Sequence, residues 1–282
     1  MAPRVSPEHR RLMEALRDLR CQAGLSGEQF GHTLGWSQSK VSKIENGRTK
    51  PSIDDVTTWV NRTNAAPEWR TELLELAQSV ANEARSWSTA HEAGLAERQR
   101  EIADVEAATV HLRNFQPAIV PGLLQTADYA RRVLTLADVS GQRDIPTAVA
   151  NRLERQTVLY KQDKQFDFVL VEGALRWRPG PDELMHAQMD RLLSLETLPN
   201  VSLSVIPFDS EATSLYLNGF TIFDVPDDPA VLVETLSHEF WLNDTSNLTS
   251  YRHVFDDLSE AAVTGQRAHE LIRSAMSPGL RR

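Results

Sequence analysis

Between Ser26 and Gly47 the chain carries two short helical signals separated by one glycine turn, and no other stretch constrains the fold as tightly. Ser26 is an N-cap residue with Gln29 three places on, the pattern of a capping box, so a helix is expected over about 27–34. Gly35 stops it, because glycine tolerates the positive φ that a tight turn needs. Ser37 caps a second helix running through Ser39, Lys40, Val41 and Ile44, and Asn46-Gly47 stops that one. A small residue is required where the second helix crosses the first, and Gly31 stands there. Val41 and Ile44 face inward, which leaves Gln38, Ser39, Ser42 and Lys43 as a short polar outer face. The arrangement is a helix-turn-helix, whose second helix presents such a face to the DNA major groove.

The flanks complete an all-α N-terminal domain of five helices over 1–80. Leu12, Met13, Leu16 and Leu19 recur at helical spacing ahead of Gly24. Ser52 with Asp55 caps a fourth helix, and Pro67 opens a fifth that contains Trp69, Leu73, Leu74, Leu76 and Val80. Residues 81–100, rich in Ala, Glu, Ser and Arg, read as a connector. From 101 to 282 helical stretches (126–139, 146–162, 182–198, 248–275) mix with β-like runs (166–171, 201–206, 220–225, 231–236) rich in Val, Ile, Phe or Thr. The expected second domain is therefore α+β, long enough to bury its own core. A chain of 282 residues accommodates these two domains.

Charge is divided unevenly. The formal net charge is −9, yet residues 1–50 hold nine Lys/Arg against five Asp/Glu. A basic head on an acidic body leaves the head to meet a polyanion while the body repels it. The single cysteine, Cys21, excludes an internal disulfide framework and is expected as a small buried hydrophobe. Trp36 is expected to pack at the turn. No apolar run reaches membrane-spanning length, and Met1–Ser6 lacks the apolar core of a signal peptide, so the expected setting is the reduced cytoplasm with no membrane partner.

The stretch Leu34-Gly35-Trp36-Ser37-Gln38-Ser39-Lys40-Val41-Ser42-Lys43-Ile44-Glu45-Asn46-Gly47-Arg48-Thr49-Lys50-Pro51 closely resembles the phage repressor/Cro (XRE) type of DNA-binding domain. The resemblance implies that Gln38, Ser39, Ser42 and Lys43 face bases and that Lys40, Asn46, Arg48 and Lys50 face phosphates. It implies a buried ion pair between Arg20 and Glu45 tying the first helix to the end of the third. Gly27 departs from the family pattern, which commonly has a phosphate-contacting Gln at that place.

In the body, Pro121-Gly122-Leu123-Leu124-Gln125-Thr126-Ala127-Asp128-Tyr129-Ala130, Arg152-Leu153-Glu154-Arg155-Gln156 and Glu172-Gly173-Ala174-Leu175-Arg176 resemble the large C-terminal domain of actinobacterial WhiJ-like regulators. That resemblance implies a small partner protein encoded nearby, in an antitoxin-like or developmental arrangement. Read without the family, Arg152, Arg155 and Gln156 share one helical face, and Glu172 and Glu234 follow apolar strands. The two open readings are an internal Arg–Glu network and a polar pocket for a small ligand or a partner's terminus.

Catalytic patterns are missing: there is no GxSxG elbow, phosphate loop or dinucleotide turn. His238-Glu239 begins like HExxH but meets Leu242 where the second histidine belongs, and His186 and His253 stand alone. The sequence thus predicts a non-enzymatic, cofactor-free and metal-free DNA-binding regulator. It is expected to act as a homodimer on a palindromic double-stranded operator, by default as a repressor. An antitoxin-like protein that sequesters a small partner and a metabolite-sensing regulator are the alternatives. The amphipathic run Tyr251, Val254, Phe255, Leu258, Ala262 is expected to pack on its own sheet; the other reading makes it a dimer face, and the fifth helix with the connector is the alternative dimer site.

Overall fold

The computed structural model describes residues 7–47, 49–81, 85–86, 95–138, 141, 143–226, 228–235 and 238–276. They divide into two units. One takes in residues 1–84 together with 227–231 and 240–249; the other takes in 85–226, 232–239 and 250–282. Two segments from the region read as body are therefore part of the first unit, which is not a continuous stretch of chain. Most of the expected connector lies outside the described residues.

The first unit contains α1 (Pro7–Gln22), α2 (Gly27–Leu34), α3 (Gln38–Glu45), α4 (Ile53–Arg62) and α5 (Pro67–Ala81). Local chemistry sets their ends. Ser26 and Gln29 form the reciprocal capping box, and Gly35 closes α2 at φ 70°. The Ser37 hydroxyl accepts from the Lys40 amide at the start of α3. Ser52 and Asp55 make a second capping box at α4. At Gly31 an added Cβ would sit 3.0 Å from the Trp36 carbonyl oxygen, so α2 and the turn into α3 approach as closely as glycine allows.

Leu12, Leu16, Phe30, Val41, Ile44, Val56, Trp59, Val60, Leu73, Ala77 and Val80 form the core. Trp59 is its centre. The indole N–H donates to the Leu16 carbonyl at 2.9 Å, and the ring lies 4.6 Å from Phe30 and 6.2 Å from Trp36. Trp36 does pack at the turn. Cys21 is a correction: it is exposed, because it follows Leu12 by nine positions, half a turn round the helix from the apolar face at about 3.6 residues per turn.

The second unit holds α6 (Leu95–Ala108), α7 (Ala127–Ala137), α8 (Ile145–Arg155), the short α9 (Glu172–Arg176), α10 (Asp182–Leu195) and α12 (Gly265–Met276), with 3₁₀ turns at Gly122–Leu124 and Gln156–Tyr160. Helix α11 (Thr245–Ala261) lies in it from residue 250. The strands are β1 (Arg85–Ser86), β2 (His111–Gln116), β3 (Gln165–Val171), β4 (Val201–Ile206), β5 (Phe220–Asp224), β6 (Ala230–Glu234, in this unit from residue 232) and β7 (His238–Leu242, in this unit up to residue 239), in sheet order β1-β7-β6-β5-β2-β3-β4. Strands β2, β3 and β4 run parallel, joined by helical crossovers, whereas β5 is antiparallel to β2. The result is a mixed sheet with helices, an α+β fold as the sequence suggests.

Strand β2 escaped the sequence reading because four of its six residues are polar. His111 lies 2.6 Å from Asp167 on β3, Asn114 donates to the Thr221 hydroxyl on β5 at 2.6 Å, and Arg113 pairs with Asp224. These cross-strand partners let a polar sequence occupy the middle of the sheet. The single C-terminal helix expected over 248–275 is two, α11 and α12. Val263 leaves the helix to bridge Val205, and Gly265 turns the chain at φ 57°. Tyr251 and Phe255 of α11 pack edge-on against Phe220. Of the readings offered for that amphipathic run, packing on its own sheet is the one observed.

Candidate nucleic-acid interface

Helix α3 presents two unlike faces. Val41 and Ile44 are fully buried, whereas Gln38, Ser39 and Lys43 are exposed and Ser42 is half-buried. Positions 38, 39, 42 and 43 fall on one stripe because they repeat at the helical spacing of three to four. Amide, hydroxyl and ammonium groups on such a stripe match the donors and acceptors on base edges; Gln pairs with adenine and Lys with guanine, at about 1–3 kcal/mol of discrimination each.

The scaffold behind the stripe is held by Arg20. Its Nε donates to Glu45 Oε1 at 2.5 Å, its Nη2 to Oε2 at 3.0 Å and its Nη1 to the Leu25 carbonyl at 2.6 Å. Both side chains are only 11% exposed. The Glu45 carboxylate raises the Arg20 pKa above its already high value, so the charge is permanent. One guanidinium thereby fixes α1, the turn before α2 and the last turn of α3.

Of the residues expected to face phosphates, Lys40, Asn46 and Lys50 have partners within the chain. The Lys40 ammonium is 2.8 Å from Asp55 and lies over the Trp36 ring at 4.4 Å. Lys50 donates to the Val80 carbonyl at 3.1 Å, capping the end of α5. The Asn46 amide donates to the Ser42 carbonyl at 2.7 Å and its hydroxyl at 3.2 Å, finishing α3. Each of the three thus lies within reach of a helix-end carbonyl or a carboxylate of its own unit, and Asn46 is exposed. Arg48 lies outside the described residues. Lys43 is the exposed cation of α3.

Sequence reasoning missed the two later segments of this unit. The Thr49 hydroxyl donates to Asp228 at 3.3 Å, Asn243 donates to the Lys50 carbonyl at 2.5 Å, and the Thr245 hydroxyl donates to Asp54 at 2.8 Å. Burial pushes the Asp228 carboxyl up, and Asp55 adds to this; Lys43, the Thr49 hydrogen bond and Lys40 pull it down. No local signal announces contacts between residues nearly two hundred positions apart.

In the second unit the candidate residues meet, with different partners from those expected. Arg155 grips Glu106 of α6 through Nε at 2.9 Å and Nη2 at 2.7 Å, and reaches Gln99 at 2.7 Å. Gln156 donates to the Gly122 and Gln125 carbonyls at 3.0 and 2.8 Å, and Arg152 donates to Gln125 Oε1 at 2.8 Å. Glu172 binds Arg176 at 2.6 Å and accepts from the Phe208 amide at 3.0 Å; Glu234 acts on Arg152 only through its charge. The face Arg152–Gln156 therefore secures the loop around Gly122 and α6, not the strand ends. Burial and the Arg155 charge both depress the Arg152 pKa. His238 and Glu239 lie on a strand, with Glu239 fully buried against Arg98 at 2.5 Å. Among the described residues no three His, Cys, Asp or Glu side chains are placed to hold a metal ion, and no helix is long and apolar enough to cross a membrane.

Residues 11–73 match a helix-turn-helix domain family, so the first unit carries the class of domain that binds DNA. Residues 99–274, more than half of the chain, match a domain of unknown function, DUF5753, and the chain belongs to that family. No curated protein matches it.

Proposed function

We propose that this protein is a sequence-specific transcription regulator that acts in the cytoplasm, without catalysis, as a repressing homodimer on a palindromic operator, with the DUF5753 domain receiving the signal. The observation that carries this reading is the polar stripe of exposed Gln38, Ser39 and Lys43 and half-buried Ser42 on a capped helix whose other face is locked into a core. Gln38 and Lys43 read bases, and the Arg20–Glu45 pair keeps the helix at a constant angle to the groove. A dimer places two such helices one turn of DNA apart, about 34–36 Å.

The test is fluorescence anisotropy on DNA from the region upstream of its own gene against a scrambled duplex, across a salt series. A preference for the upstream duplex that persists at physiological salt is expected. Equal, salt-sensitive binding to both would overturn sequence reading, since non-specific binding is carried by phosphate charge alone.

A second reading makes the DUF5753 domain a dock for a small partner protein, as in antitoxin-like arrangements. What favours it is the loop before β5, where Phe208, Leu215 and Leu217 are 64%, 84% and 82% exposed. A pull-down from the native lysate that is lost in Leu215→Ser/Leu217→Ser would support this reading over a small-molecule signal.

A further inference from the structure

We infer that residues 228–231 and 240–249 form a clasp over the segment that follows α3, with Asp228 occupying the place of a DNA phosphate, so that the protein closes this segment to the DNA backbone while the stripe on α3 stays exposed. The inference rests on the DNA-binding reading above and adds its regulation.

The geometry supports it at three points. Asp228 accepts from Thr49 and is flanked by the charges of Lys43 and Lys40. Asn243 takes up the Lys50 carbonyl, and Thr245 reaches Asp54 in the first turn of α4. The three contacts cover consecutive parts of the chain from 49 to 54. A carboxylate and a phosphate ask for the same partners, ammonium groups and hydroxyl donors at hydrogen-bond distance. A surface that takes Asp228 on Thr49 beside Lys43 is thus a surface for a phosphate, and it cannot hold both anions at once.

The contact at Asp228 is a weak one: the Thr49 hydroxyl reaches it at 3.3 Å, long for an O–H···O bond, and burial pushes its carboxyl pKa up. Residues 232–239, between the two clasp segments in sequence, belong to the second unit, so the clasp is covalently tied to the DUF5753 domain. DNA binds only the open fraction, and its apparent affinity falls in proportion to that fraction.

The experiment uses the full chain and a labelled mixed-sequence duplex of about 30 base pairs, with affinity read by anisotropy at about 50 mM salt, where phosphate contacts dominate. Three variants are compared with the wild type. Asp228→Asn removes the competing anion. Asn243→Ala/Thr245→Val loosens the clasp without changing charge. Asp128→Asn removes a charge from an exposed residue of the second unit and controls for net charge. Both clasp variants are expected to bind about tenfold more tightly than the wild type, with Asp128→Asn unchanged, as for a mostly closed ensemble made open. Wild-type affinity in the Asn243/Thr245 variant, or an equal gain from Asp228→Asn and Asp128→Asn, would overturn the clasp while leaving DNA binding intact. If melting shows that the double variant does not fold, the comparison of Asp228→Asn with Asp128→Asn decides. Absence of binding by the wild type and every variant would overturn the DNA-binding reading, and the clasp with it.

Discussion

Arg20 and Glu45 lie 25 positions apart and meet through two parallel hydrogen bonds, Nε to Oε1 at 2.5 Å and Nη2 to Oε2 at 3.0 Å. The pair joins the end of α1 to the end of α3, so the helix that carries the polar stripe is anchored at its C-terminal end by a charge from another helix. Such a fork fixes orientation as well as distance, which a single lysine contact does not.

Arg20→Ala is expected to leave Glu45 charged, 11% exposed and without its partner, and to destabilise the first unit by about 3–5 kcal/mol. Arg20→Lys keeps the charge but loses the fork and the contact with Leu25, and should fall between. Urea unfolding followed by tryptophan fluorescence, with Trp59 in the core, checks the order. An Arg20→Ala protein as stable as the wild type that merely binds DNA less well would make Arg20 a DNA contact instead.

Lys43 and Lys50 are expected to separate cleanly. Lys43→Ala removes an exposed group, so the melting temperature should hold while sequence preference relaxes, by about 1–3 kcal/mol at the base it reads. Lys50→Ala removes the donor to Val80 and should lower stability by about 1 kcal/mol. Thermal melts alongside binding to single-base operator variants distinguish the two. Equal effects of both changes on sequence preference would show that Lys50 also reads DNA.

Glu106 and Arg155 form the deepest ion pair of the α6–α8 contact, at 4% and 8% side-chain exposure. Arg155→Met alone should cost about 3–5 kcal/mol because it strands a buried carboxyl, whose pKa burial already pushes up. Arg155→Met with Glu106→Leu should recover most of that loss. Chemical denaturation of the singles and the double forms a mutant cycle; a double variant as unstable as the sum of the singles would mean that the two residues act independently.

Asp144 caps α8, accepting from the Thr147 amide at 3.1 Å, and hydrogen bonds from Thr147 hold its pKa below the usual carboxylate value. A lowered folded-state pKa means that the stabilisation is present above the unfolded value and is lost as pH falls through the folded one. Asp144→Asn keeps a capping oxygen but does not titrate. The stability difference between wild type and Asp144→Asn is therefore expected to shift against the wild type as pH falls below about 4. A pH-independent difference would rule out this contribution.

Much of the first unit was legible because its signals are local. A hydroxyl two or three residues from an orphan amide, a glycine at positive φ and apolar residues at helical spacing act within one turn of chain, so Ser26, Gly35, Ser37 and Ser52 announce their helices directly. Strand β2 was illegible for the opposite reason. Asn114 and Arg113 look like loop residues until Thr221 and Asp224 stand opposite them.

The sequence by itself determined the helix-turn-helix, the stripe on α3 and the α+β character of the rest, since periodicity and capping depend on neighbours in the chain. Only the tertiary structure decided which cations face outward. Lys40, Lys43 and Lys50 are alike as sequence, yet Asp55, Trp36 and Val80 claim two of them and leave Lys43 exposed. It also decided that Asp228, Asn243 and Thr245 belong with the first unit. A polar group takes whichever partner the fold brings within about 3 Å, and sequence spacing carries no record of that distance.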